Sequence, residues 1–194
     1  ITTAVSPKGT TFIFDIPSAT WTTQSIVNLD THRHSVAFSP FTSNSILLTA
    51  GGLDLAGHFR HHGDDKFHLE LVDLREGRVN RLKLSCRNEE KKRSSVMHSR
   101  GRIYSNRLLQ LSEYEFASIG GIGSSYGQNM ATRFDIRYNT ILDSFRLTAE
   151  PNGLLAHNFT CQLIAHDTVC LLGGGGNCFS FGTHFNPILL YSLP

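Results

Sequence analysis

The feature that most constrains this chain is a glycine-punctuated repeat. Three segments share one order of features: an apolar run, a glycine pair or longer, a polar stretch, then a second apolar run. Ser45 to Ala50 ends on Gly51 and Gly52 and is answered by Phe67 to Leu74. Tyr114 to Ile119 ends on Gly120 and Gly121 and is answered by Thr132 to Ile136. Thr168 to Leu172 ends on the run Gly173 to Gly176 and is answered by Ile188 to Leu193. Fixed-period self-similarity of this kind marks an architecture built from one repeated unit.

An aspartate closes the second apolar run in two copies. Asp73 stands six residues before Val79, and Asp135 six before Ile141. A headless copy opens the chain with Thr11 to Asp15, a turn at Pro17 and Ser18, and Trp21, again six after its aspartate. An acidic residue, a turn and a large apolar residue at fixed offsets read as a hairpin of constant geometry. The runs are short, β-branched or aromatic, and bounded by Gly, Asn and Asp, so the chain reads as all-β. No segment carries a helical period; Glu89 to Ser95 is charged with no apolar face and reads as a loop.

Composition is that of an ordinary globular protein, with 40% hydrophobic and 18% charged residues among 194. A net charge of +2 argues neither for nor against a nucleic-acid partner. Cys86, Cys161, Cys170 and Cys178 include no C-x-x-C pair and read as buried, reduced thiols, which points to a cytoplasmic setting. No run of about 18 apolar residues is present, so no membrane span is expected. Neither Ile1 to Thr3 nor Ser192 to Pro194 reads as a natural terminus, and the expectation is a stretch of a longer polypeptide. Asn158-Phe159-Thr160 spells a glycosylation sequon, which carries no weight in an unsecreted protein.

A double glycine closing the second strand, an aromatic-Asp closing the third and a large apolar residue on the fourth resemble the kelch repeat, with Phe14-Asp15 to Trp21 as the best copy. Kelch units run about 50 residues. Gly120 to Gly173 fits, while Gly51 to Gly120 is longer because of insertions at Asp54 to Asp65 and Arg87 to Gly101. The resemblance implies a partial kelch β-propeller of two complete four-stranded blades, about Asp30 to Cys86 and Val96 to Leu147, plus parts of two more. The segments are 1–29, the end of a blade; 30–95 and 96–150, one blade each; and 151–194, an incomplete blade. Glycine is expected at the corners for its positive φ and its missing Cβ. The repeat residues are Gly51, Gly52, Gly120, Gly121, Gly173, Gly174, Asp15, Trp21, Asp73 and Asp135.

The stretch Gly173-Gly174-Gly175-Gly176-Asn177-Cys178-Phe179-Ser180-Phe181-Gly182-Thr183-His184-Phe185-Asn186-Pro187 resembles the last kelch repeat of the tRNA wybutosine-synthesising methyltransferases, which are similar to leucine carboxyl methyltransferase at their N-terminus. His32 to Ser35 and Leu155 to Phe159 resemble the His-bearing first strand of these repeats; Arg102 to Ser105 departs by lacking a histidine. The resemblance implies a parent enzyme that uses S-adenosylmethionine late in wybutosine synthesis on phenylalanine tRNA, for carboxyl methylation and methoxycarbonylation. It implies that the methyl-donor site lies in a catalytic domain of the same polypeptide, outside these residues. It also implies that this segment positions tRNA or braces that domain. No catalytic, cofactor or metal residue is expected here.

Other motifs read as structural. The Gly173 to Gly176 run lacks the Gly-Lys-Ser/Thr and following helix of a phosphate loop, and Asn177 to Phe179 is expected to lead into an open Gly/Phe/Asn loop. His58, His61 and His62, with Asp64 completing an H-x-D, lie in a polar inserted loop and not on the rigid strands of an iron triad. Gly121 to Ser125 is not a nucleophile elbow. Tyr104, Tyr114, Tyr126, Tyr138 and Tyr191 are too scattered for a copper-oxidase centre. Basic residues gather at Arg60, at Lys91, Lys92 and Arg93, and at Arg100 and Arg102, with Arg107 beyond; these are the candidate contacts to tRNA phosphates or a protein partner. Phe179, Phe181 and Phe185 are candidates for base stacking, with packing between blades as the plainer role. The alternative from another class is a kelch interaction scaffold, such as a ubiquitin-ligase adaptor.

Overall fold

The computed structural model describes residues 2–5, 10–25, 33–34, 37–41, 46–50, 53–54, 69–86, 106–121, 130–147, 159–178 and 182–193. Among them there is no helix; every regular element is a strand.

The first sheet is the antiparallel meander β1 (Thr2–Val5), β2 (Thr10–Asp15) and β3 (Thr20–Ser25). The second begins with a short strand β4 (Arg33–His34), then β5 (Ala37–Phe41), β6 (Ile46–Ala50), β7 (Leu53–Asp54), β8 (Leu69–Asp73) and β9 (Arg78–Leu82). Its body is the meander β5-β6-β8-β9, and β4 pairs with β7 beyond the Ala50 end. The chain then forms β10 (Ser85–Cys86) and enters the third sheet, β11 (Arg107–Gln110), β12 (Glu115–Ile119), β13 (Met130–Asp135) and β14 (Thr140–Arg146). β10 adds to the third sheet as a fifth strand, parallel to β14. The fourth sheet is β15 (Phe159–Ala165), β16 (Thr168–Gly173), and β19 (Leu189–Ser192), with the hairpin β17 (Gly175–Cys178) and β18 (Gly182–Phe185) inserted between β16 and β19.

Consecutive sheets stack face to face because each buries alternate residues on opposite faces. In the third sheet, Leu108, Phe116, Phe134 and Ile141 meet Ala37, Leu48 and Leu69 of the second. On its other face Ala117, Ile119, Ala131 and Leu147 meet Phe159, Val169 and Leu171 of the fourth. The register produces the division: Phe116 lies opposite Phe134, Ile119 opposite Ala131, and a bulge after Arg133 sets Ile141 opposite Phe134. Ile13 of the first sheet packs, alongside Val79, against Val72 and Leu74 of the second. The first strands β5, β11 and β15 of three successive sheets lie beside one another.

The three aspartates do one job. Each ends a strand and faces a four-residue turn, with Asp15 paired to Thr20, Asp73 to Arg78 and Asp135 to Thr140. Asp73 Oδ1 accepts from the backbone N–H of Arg75 at 2.8 Å and of Glu76 at 3.1 Å. Asp135 Oδ1 accepts likewise from Arg137 at 2.8 Å and Tyr138 at 3.2 Å. At Asp15 the equivalent donor is missing because Pro17 has no N–H. There the carboxylate takes the N–H of Ser18 at 3.1 Å and, in its place, the Ser18 hydroxyl. The last residue of every turn is left-handed: Ala19 at φ 52°, Gly77 at 63° and Asn139 at 50°.

Two expectations shift. The first strand of the second sheet is Ala37–Phe41, not the His32 to Ser35 run; only Arg33 and His34 of that run are described, as β4. The physical reason is the alternation of Ala37 and Ser39, both buried, with exposed Phe38 and Pro40. Second, the segment after Gly174 is a hairpin and not an open loop, since Gly175 to Cys178 pairs with Gly182 to Phe185. Arg102 to Ser105 and Leu155 to Asn158 lie outside the described residues.

Candidate functional site

The meanders give the stack two distinct sides. β12 and β16 end, and β11, β13 and β15 begin, at the side of the glycine corners. β2, β8 and β13 end at the side of the aspartate turns. The glycine side is the candidate binding face, because the long connections of the second and third sheets depart toward it or return from it. β7 ends and β8 begins there, and β10 runs parallel to β14 toward it before the chain re-enters at Asn106. Those connections carry the candidate contacts Arg60, Lys91, Lys92, Arg93, Arg100 and Arg102, all of which lie outside the described residues. So do His58, His61, His62, Phe179 and Phe181, along with Gly51 and Gly52.

The described corners meet the backbone demand. Gly120 and Gly121 have φ of 60° and 104°, and Gly173 and Gly174 of 71° and 83°, values that L side chains rarely adopt. Gly120 N–H donates to Met130 O at 2.9 Å, closing the corner. At Gly173 a Cβ would meet nothing within 4 Å, so conformation alone, and not crowding, requires glycine there. The Gly173 run leads into strand β17, whereas a phosphate loop opens a helix.

Between these corners sit three polar groups on strand β11 and its neighbour. Asn106 is fully buried; its amide donates to Ser118 Oγ at 2.9 Å, while its Oδ1 has no partner among the described residues. The Arg107 guanidinium lies 5.9 Å over the Phe159 ring of the next sheet and donates to Asn106 O at 3.3 Å. Cation–π contact and this hydrogen bond hold Arg107 between third and fourth sheets. Amide, hydroxyl and guanidinium bind and orient; none forms a nucleophile–base pair. Among the described residues no three His, Cys, Asp or Glu side chains gather as a metal site.

The aspartate side has its own cluster. Arg137 stacks over Tyr114 at 5.1 Å and Tyr138 at 4.5 Å and pairs with Asp135 at 3.2 Å. A hydrogen bond to Glu113 and the charge of Glu113 raise the Tyr114 phenol above its ordinary value. On the third sheet Arg133 and Asp143 form a bidentate cross-strand pair, which holds the Arg133 guanidinium charge more firmly still. Burial pushes the Cys161 thiol up to about 11, with Arg107 acting in the opposite sense. Cys161 and Cys170 are both free thiols.

Asp15, Asp73 and Asp135 all close turns, and Trp21 lies opposite Phe14, its ring 4.9 Å away. Asn106, Ser118 and Arg137 do not stand out in the sequence. A signal for Ser118 is present there, as a hydroxyl inside the apolar run Tyr114 to Ile119.

No family model matches the chain, and no curated protein matches its sequence. No helix of the described residues is long and apolar enough to cross a membrane.

Proposed function

We propose that the stacked sheets are blades of a kelch-type propeller. On this reading the chain is the propeller region of a tRNA wybutosine-synthesising methyltransferase, a cytoplasmic enzyme acting on phenylalanine tRNA. The observation that carries the family reading is the resemblance of Gly173 to Pro187. Support for the blades comes from three features: meanders repeated in register, adjoining first strands, and aspartate turns of one geometry. The propeller presents its glycine side to tRNA. The basic connections contact phosphates, and positively charged loops suit a ligand read through its backbone and unpaired bases. S-adenosylmethionine and the carboxyl chemistry belong to a catalytic domain of the same polypeptide. The deciding experiment is nucleoside mass spectrometry of phenylalanine tRNA from cells lacking the gene. Loss of wybutosine with build-up of its unmethylated precursor is expected; intact wybutosine overturns the reading.

A further inference from the structure

A cation held partly out of water needs a counter-charge or several acceptors, because burial without them is costly. Two arginines with described side chains are half-buried, Arg133 and Arg107. Arg133 has its carboxylate, Asp143, in a bidentate pair across strands. Arg107 has none. Among the described residues it makes no ion pair, and one of its N–H groups finds an acceptor, the Asn106 carbonyl at 3.3 Å. Its other support is the Phe159 ring, 5.9 Å away. A ring face attracts the cation without using an N–H. The guanidinium fork is thus fixed in direction while most of its donors stay open.

Arg107 opens β11 opposite Ile119, next to the Gly120–Gly121 corner. Phe159 opens β15 opposite Gly173, the first residue of the other described corner. Arg107 thus links, through Phe159, two corners that carry no side chain. Space is open there as well, since a Cβ at Gly173 would meet nothing within 4 Å. The carbonyl that aims the fork belongs to Asn106, which is fully buried and anchored by its amide on Ser118 Oγ. The connection that leads into Asn106 is cationic in sequence. From Arg87 to Arg102 it carries six Lys and Arg against two Glu. A single carboxylate ligand calls for no such excess, whereas a phosphate monoester or a run of phosphodiesters does.

We propose that Arg107 is a phosphate-binding point on the glycine side. Its guanidinium takes two phosphate oxygens through the open fork, a geometry that guanidinium and phosphate match bidentately. Phe159 shields one face of the ion pair from water, which strengthens it. The phosphate belongs to an RNA backbone or to a small phosphorylated ligand, and the chemistry at Arg107 is the same for both. The proposal rests on the surroundings of Arg107 and stands independently of the tRNA reading.

The probe is the Arg107 Nε–H resonance of the 194-residue chain, assigned by its loss in Arg107→Lys, which keeps a cation beside Phe159. Inorganic phosphate is titrated at constant ionic strength, with acetate as the carboxylate control. A saturable shift is expected with phosphate and none of comparable size with acetate. Binding of phenylalanine tRNA then separates the two sources. Where the phosphate is that of RNA, Arg107→Gln, with unchanged circular dichroism, lowers the slope of log affinity against log salt by about 0.7–0.9. A phosphate shift beside an unchanged slope assigns the site to a small phosphorylated ligand and counts against the tRNA reading alone. No saturable shift with phosphate, or an equal one with acetate, overturns the proposal whatever tRNA does.

Discussion

Three turns with one geometry are made from different residues, and their differences set what single substitutions cost. Ala19 holds φ 52°, where Gly77 and Asn139 stand in the sister turns. A left-handed Ala costs about 1–2 kcal/mol, and glycine gives back about 0.5–1 of that through the unfolded chain. Ala19→Gly therefore stabilises by about 0.5–1 kcal/mol, read as a higher urea midpoint at constant slope. Asp135→Ala works the other way. It strands two backbone donors and removes the carboxylate that Arg137 pairs with, and a loss of about 2 kcal/mol is expected in the same measurement. Asp15→Ala costs less, since its turn is exposed and offers a single backbone donor. These aspartates are legible in the sequence because the spacing Asp15–Trp21, Asp73–Val79 and Asp135–Ile141 is a local pattern. Asn106 is not. It is buried with its amide on Ser118 of the following strand, a pairing set by sheet register and not by any local spacing.

At the scale of the element, the fourth sheet joins the third through Cys161, Phe145 and Tyr191, the last two stacked with centroids 5.5 Å apart. Burial there gives the fold a dependence on alkaline pH. In the folded chain Cys161 keeps its proton up to about 11, whereas an ordinary thiol releases it near 9. Between those two values the unfolded chain binds fewer protons, so stability falls as pH rises through that window and is flat with respect to this thiol below it. The total loss is at most about 2–3 kcal/mol. Cys161→Ala removes this part of the slope in denaturant titrations from about pH 8 to about pH 11. Tyr191, raised by burial in the same direction, leaves a residual slope at the alkaline end. The strands themselves are readable from β-branched and aromatic runs. The β17–β18 hairpin is not, because Gly175 to Cys178 carries no strand-like pattern and owes its pairing to a register handed on from the β16–β19 hairpin.

The whole molecule is a one-dimensional series of sheets, in which neighbours alone share a core among the described residues. On the proposed reading, function belongs to the connections at the glycine side. If they meet tRNA, reversing Lys91, Lys92 and Arg93 to Glu weakens binding of phenylalanine tRNA. The same change lowers the slope of log affinity against log salt by about 0.7–0.9 for each phosphate left without its cation. Filter binding at several salt concentrations reads both; an unchanged slope shows that these three residues touch no phosphate. The order of sheets is visible in the repeat, but the side from which each connection leaves emerges only once strand directions are known.

One small strand ties two neighbouring sheets through the backbone itself. β10 belongs to the second sheet by chain and to the third by hydrogen bonds, with Ser85 N–H donating to Asn139 O at 2.7 Å and the Ser85 hydroxyl to the same oxygen at 3.1 Å. Second and third sheets are thereby tied at the β14 edge as well as joined where β5 meets β11. Pulling the second sheet away from the third therefore means breaking backbone pairing at β10 as well as opening the core they share.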